Sequence, residues 1–142
     1  MKPDFASTLE GAHLIAPELL DLTADKPRLR ISHCNECGHD TFPVAPVCPS
    51  CMSLDMAEQP MDGSGTLYSF SVVHVAPKHW NAPYAIGYVD LPGGLRVLGQ
   101  IQQSLEKIAI GSRYVLDLGV VGRKPDGEPA SSYVFVPEVS DA

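Results

Sequence analysis

Four cysteines, Cys34, Cys37, Cys48 and Cys51, are the only ones in the chain, and they fall into two C-x-x-C pairs separated by ten residues. Each pair can form a knuckle, and two facing knuckles place four sulfurs at the corners of a tetrahedron. That donor set fills the coordination of Zn²⁺ and leaves no position for water or substrate, so its chemistry is structural rather than Lewis-acid. Tetrahedral sulfur also suits a single iron, and a pair of disulfides is the third reading; zinc is the one carried forward. Gly38 follows the first pair, where a knuckle commonly needs positive φ, whereas Met52 stands at the equivalent place after the second. Pro43, Pro46 and Pro49 stiffen the segment between the pairs, and Phe42 and Val44 are placed to cover the sulfurs. His33 and His39 are close enough to be weighed as ligands, but four sulfurs already complete the set.

The second group of candidates lies in PKHWNAP, residues 77–83. Trp80 and His79 can stack on a flat ring and Lys78 can meet a phosphate; the competing reading is a structural Trp80 that closes the end of a barrel. Arg28 and Arg30, in a short basic run that enters the first knuckle, are near enough to it to help bind an anionic ligand. Catalytic machinery is not evident. No HExxH, GxSxG or phosphate-cradling glycine motif occurs, Asp62, Asp90, Asp126 and Glu128 are scattered through turns, and His74 has no partner base.

A chain of 142 residues with 44% hydrophobic content can bury a real core. A net charge of -7 with only 10 Lys and Arg argues against general affinity for nucleic acid, which needs clustered cations. The sequence shows no apolar run of membrane-spanning length and no apolar signal-peptide core, so a cytoplasmic protein with no membrane contact is expected. A reducing compartment agrees with metal-bound cysteines rather than disulfides.

The elements that must position these residues are mainly β. Residues 1–30 read as a helical arm, with Leu9, Leu14, Ile15, Leu19, Leu20 and Leu22 as a partial apolar stripe broken by Gly11 and Pro17. That arm either packs back on its own chain or docks on another subunit. Residues 31–56 form the metal ribbon, with Met52 to Met61 as a connector into a domain spanning 57–142. There, β-rich runs at 66–76, 84–91, 95–101, 113–122 and 131–139 predict five strands, with Ile108 and Ile110 tucked inward between the third and fourth. His74 would sit in the first of them. A long first strand and only five strands in all favour a small closed barrel of the OB type, because closure removes exposed edges.

The arrangement resembles a known family of acyl-CoA-associated proteins built from a rubredoxin-like zinc ribbon and an OB-fold. The resemblance is carried by Cys34, Cys37, Gly38, Phe42, Pro43, Cys48, Pro49 and Cys51, then by Gly63, Gly65, Thr66, Tyr68, Ser69, Phe70, Pro83, Tyr84, Gly99, Ile110 and Gly111. It extends to the small subunits of an aromatic acyl-CoA thiolase and of a complex that acetylates phloroglucinols. It implies a non-catalytic accessory subunit with structural zinc at the four cysteines. The implied partner is a thiolase-like or ketosynthase-like catalytic subunit, or alternatively an acyl-CoA hydratase or retro-aldolase, in a hetero-oligomer. Coenzyme A presents an adenine ring and phosphates, so Lys78, Trp80, Arg28 and Arg30, with Arg96 and Arg113 next, are the basic and aromatic residues expected to border coenzyme A bound by that partner.

Overall fold

The computed structural model describes residues 13–138. Their strands, in chain order, are β1 (His13–Leu14), β2 (Leu20–Asp21), β3 (Arg28–Cys34), β4 (Asp40–Thr41) and β5 (Met56–Met61), then β6 (Gly65–Val73), β7 (Tyr84–Asp90), β8 (Arg96–Ile101), β9 (Arg113–Arg123) and β10 (Pro129–Pro137). Two sheets result. In the first, β5 runs along β3 from Leu29 to Cys34, while β2 and β4 pair with successive halves of the same strand. In the second, β6, β7 and β8 form an antiparallel meander, β8 pairs in parallel with β10, and β10 pairs with β9. Pairing of Gly65 with Tyr114 and of Thr66 with Arg113 joins β9 to β6 and closes a five-stranded OB barrel.

Alternation explains the barrel wall. In β7, Ala85 and Val89 are fully buried while Tyr84, Ile86 and Tyr88 are not, the period of two expected of a strand with one face on a core. Tyr114, Leu116 and Leu118 of β9 and Phe135 of β10 complete the interior. The ribbon contributes to that same core. Leu29 and Ile31 of β3 are fully buried in one apolar cluster with Leu67, Val89, Val97 and Phe135 of the barrel. Phe42 meets Tyr133 edge-on at 5.9 Å, and Tyr133 in turn meets Phe135 at 6.3 Å, an aromatic path from ribbon to barrel interior. Phe42 thus packs on the joint with the barrel.

Several expectations are corrected. Among the described residues the arm contains no α-helix: β1 adds to β10, Pro17–Leu19 is a single 3₁₀ turn, and β2 adds to β3. Pro17 and the left-handed Ala16 (φ 54°) interrupt helical geometry, and strand pairing at both ends takes the backbone hydrogen bonds instead. Leu14, Leu19 and Leu22 pack against the core from these short extended pieces, so this part of the arm folds back on its own chain. Leu9 and the rest of the expected helix before residue 13 lie outside the described residues. The connector ending at Met61 contains β5. The first barrel strand stops at Val73, which leaves His74 exposed beyond it. Ile108 is buried as expected, whereas Ile110 is 63% exposed.

The two knuckles are backbone copies of each other. Gly38 donates its N–H to the Cys34 carbonyl at 2.9 Å and Met52 donates to the Cys48 carbonyl at 2.8 Å, with φ of 82° and 68°. Met52 therefore occupies the left-handed region that glycine occupies in the first knuckle, and its side chain is 74% exposed. Since the side chain packs on little and the backbone carries the strain, Met52→Gly is expected to stabilise the metal-loaded protein by about 1 kcal/mol. A thermal melt beside wild type measures this; a lower midpoint would show that Met52 contributes contacts that outweigh its strain. The shared core gives a second expectation. Leu29→Ala should cost about 2–5 kcal/mol and lower the barrel transition, followed through Trp80 emission, together with the ribbon transition, followed through metal release. A barrel midpoint unmoved by this ribbon substitution would show that the two sheets unfold independently.

Candidate metal centre

Strand β3 delivers Cys34 at its last residue, and the turn closed by Gly38 presents Cys37; the matching turn at 48–52 presents Cys48 and Cys51. The four Sγ atoms lie within 4.8 Å of one another. Cys34 and Cys51 are 3.6 Å apart, as are Cys37 and Cys48. A tetrahedral Zn–S₄ site with Zn–S near 2.3 Å has sulfur–sulfur edges of about 3.8 Å, so these residues fit that ion. Cys34 and Cys48 are fully buried, whereas Cys37 and Cys51 face outward.

Backbone amides are aimed at the buried sulfurs. The Cys37 N–H donates to Cys34 Sγ at 3.4 Å, and the Ser50 N–H donates to Cys48 Sγ at 3.4 Å. The first of these is the main reason the Cys34 thiol is drawn down to about 6, well below the ordinary thiol range. The Cys51 amide leads the same effect on Cys48. At Cys51 the Ser53 amide also pulls downward, but burial and the three neighbouring sulfurs together outweigh it and push the thiol up to about 12. Ionisation is thus favoured at the first cysteine of each pair and opposed at the last.

Neither histidine joins the set. His33 Nδ1 is 2.7 Å from Asp40 Oδ1, and the backbone carbonyl of His39 accepts the Cys34 N–H at 2.9 Å.

The other candidates fall in two separate places. Arg28 and Arg30 line a surface cavity of about 360 Å³ on the ribbon sheet, and each is engaged there by an acid. Arg28 Nη2 is 2.5 Å from Asp21 Oδ2; Arg30 pairs with Glu58 and donates to the Glu18 carbonyl at 2.7 Å. Lys78 and Trp80 belong to the loop after β6 on the barrel. Trp80 is 41% exposed, packs against Tyr84 with ring centroids 6.0 Å apart, and forms a β-bridge with Gly122. That bridge places β9 residues Gly122 and Arg123 against the loop. Sequence reasoning missed them, because no local pattern links residue 80 to residue 122.

Comparison with known proteins agrees with this architecture. Residues 24–57 match the model of the ChsH2 rubredoxin-like zinc ribbon domain, and residues 58–115 match that of the ChsH2 C-terminal OB-fold domain. The benzoylsuccinyl-CoA thiolase subunit BbsA of Thauera aromatica is 35% identical over 121 residues, covering 84% of each chain. A DUF35 domain-containing scaffold protein of Methanocaldococcus jannaschii is 42% identical over 71 residues, 48% of this chain and 50% of that one. Among solved structures, a chain of the Ltp2-ChsH2(DUF35) aldolase superposes with a TM-score of 0.62 at 32% identity, covering 78% of this chain and 84% of that chain. With its ribbon, its barrel and most of its length matched in this way, the chain belongs to the family of ChsH2-type proteins that join a rubredoxin-like zinc ribbon to an OB-fold.

Proposed function

We propose that this chain is a non-catalytic accessory subunit of a heteromeric thiolase or acyltransferase that acts on acyl-CoA thioesters. The observation that carries the reading is its 35% identity, across 84% of both chains, to a benzoylsuccinyl-CoA thiolase subunit. Cys34, Cys37, Cys48 and Cys51 would hold one zinc ion, whose contribution is a four-way crosslink with no open coordination position. The chain's own work is positional. The sulfur cluster fixes the end of β3 and the 48–52 turn, and the shared core carries that constraint into the barrel. Lys78 and Trp80 are the residues proposed to border coenzyme A held by the catalytic subunit. Arg28 and Arg30, in a cavity of their own, form the second place where an anionic group of the ligand or partner would be met.

A second reading is supported by the likeness to the Ltp2-ChsH2(DUF35) aldolase chain: the catalytic partner would then be a retro-aldolase or hydratase acting on an acyl-CoA. The two readings differ in the enzyme that is retained, since the accessory role is the same.

The test is native mass analysis and metal assay of this chain purified with its catalytic partner. One zinc per copy is expected, with Cys34→Ser or Cys48→Ser abolishing both metal retention and co-purification. Metal removed by a chelator should release the catalytic subunit before the barrel unfolds. Normal assembly by the metal-free chain would overturn the role given to the cluster, and turnover of acyl-CoA by this chain alone would overturn the accessory role.

A further inference from the structure

Leu54 and Met52 are among the most exposed large apolar side chains of the molecule, at 77% and 74%. Side chains so far out of any core add little to the fold, yet the backbone on either side of Leu54 is held by both knuckles. The Cys48 N–H donates to the Ser53 carbonyl at 2.9 Å and the Asn35 N–H donates to the Asp55 carbonyl at 3.0 Å, with the Asn35 amide reaching Asp55 Oδ1 at 3.0 Å as well. Residues 44–46 are pinned by other means. Ser32 of β3 is buried, and its hydroxyl donates to the Ala45 carbonyl at 3.1 Å and accepts the Ala45 N–H at 2.9 Å. These two segments and β5 line a groove of about 360 Å³, to which Val44, Ala45, Pro46, Leu54 and Met56 give an apolar surface. Glu58, the one charged residue on it, is already paired with Arg30.

The charge around the groove is one-sided. From residue 31 to residue 77 the sequence holds no Lys or Arg, while it holds Glu36, Asp40, Asp55, Glu58 and Asp62. Arg30 and Lys26, from outside that stretch, pair with Glu58 and Asp62, and His33 meets Asp40. Among the described residues Glu36 and Asp55 have no cationic partner, and both are exposed beside the pinned backbone: Asp55 follows Leu54, and Glu36 follows Asn35, which holds Asp55. Zn²⁺ held by four thiolates leaves the cluster itself anionic, which adds charge of the same sign.

A rigid apolar groove with an acidic rim selects its occupant by exclusion and by match. Phosphorylated ligands and anionic membranes meet only like charge there. A second copy of the chain in a two-fold dimer would set Glu36 and Asp55 against the same acidic face, since such an interface buries one patch against itself. What fits is an apolar side chain flanked by Lys or Arg on another protein, because interfaces set opposite charges around a desolvated apolar centre. We propose that the groove between residues 44–46 and Leu54 is the docking site for a cation-rimmed apolar knob of the catalytic subunit, with Leu54 and Met52 as its apolar contacts and Glu36 and Asp55 as its charged rim. This rests on the accessory-subunit reading above and names the surface which that role uses. Backbone held by both knuckles is ordered before the partner arrives, so little conformational freedom is lost on docking. Losing the metal frees the knuckles, and Leu54 with them.

The test separates the zinc-loaded full chain from the catalytic subunit that co-purifies with it, recombines the two, and measures the dissociation constant at low and high salt. Leu54→Ser is expected to weaken assembly at least tenfold at unchanged zinc content and melting temperature, the loss of an interface anchor that the fold does not need. Glu36→Gln should slow association and flatten its salt dependence. Val75→Ser, which changes a 92% exposed apolar residue outside the groove, should leave the constant unchanged. Should Leu54→Ser lose zinc, Val44→Ser on the opposite wall decides in its place. Assembly within twofold of wild type in the groove variant, an equal loss in Val75→Ser, binding that salt does not weaken, or a zinc-loaded chain that dimerises by itself through Leu54 would each overturn the proposal. An enzyme retained equally well without Leu54 removes only the groove. A chain that retains no enzyme removes the accessory reading, and the docking site with it.

Discussion

Strand β3 must satisfy two requirements within seven residues, and most of the molecule follows from that. Leu29 and Ile31 are fully buried against barrel residues, and Cys34, three positions on, is a member of the sulfur cluster. A strand rises about 3.3 Å per residue, so roughly 10 Å separates the core anchor from the candidate metal ligand, with no flexible joint between them. Displacement at the sulfurs is therefore displacement at the core. The neighbours of β3 reinforce this, since β5 holds it from Leu29 to Cys34 and β2 and β4 hold its two halves.

A ribbon of this size has too little surface to bury for a core of its own, and small domains of this kind lean on metal, disulfides or a neighbour. Here the sulfur cluster lies at one end of β3 and the barrel core at the other. Phe42 adds a contact that the metal cannot supply, extending from the segment between the two cysteine pairs to Tyr133. The hydroxyl of Tyr133 donates to the Leu98 carbonyl at 2.7 Å, so this aromatic joint is tied to β8 by a hydrogen bond as well as by packing. Burial raises that phenol above its ordinary range.

What the sequence displayed and what it concealed divide along a physical line. The barrel strands were legible because alternation is a local signal, and the sulfur cluster because C-x-x-C fixes a local turn. Strand β5 was hidden: MAEQPM has no apolar alternation, it faces solvent along its middle, and only its register with β3 makes it a strand. The leucines of the arm were visible, but Leu14, Leu19 and Leu22 suit a helical face or short extended pieces equally well. Pairing with β10 and β3, which is long-range, decides between them. The place of Met52 was marked by the spacing, but its residue type pointed to an off-pattern second turn, whereas the knuckle imposes the same left-handed backbone there. Of the candidate ligand contacts, Lys78 and Trp80 were visible by type, whereas the pairing of their loop with Gly122 and Arg123 is made by hydrogen bonds between distant backbone segments.

Barrel closure itself accounts for why a loop carries these contacts. Strand β9 pairs with β6 only at Arg113 and Tyr114, and the Leu116 N–H continues the edge to the Gly63 carbonyl at 3.1 Å. Farther along β9, at Val121 to Arg123, the backbone of residues 79–81 takes over as the pairing partner. The loop thus completes the wall with its main chain. Its side chains are released from the core by the same geometry: Trp80 remains 41% exposed, and Lys78 and Arg123 face solvent. In an acidic protein whose other described cations are mostly paired within the chain, Lys78 and Arg123 are left without a carboxylate partner. The net charge of -7 opposes nonspecific association with anions. The backbone bonds that close the barrel also fix where the loop's main chain lies against β9.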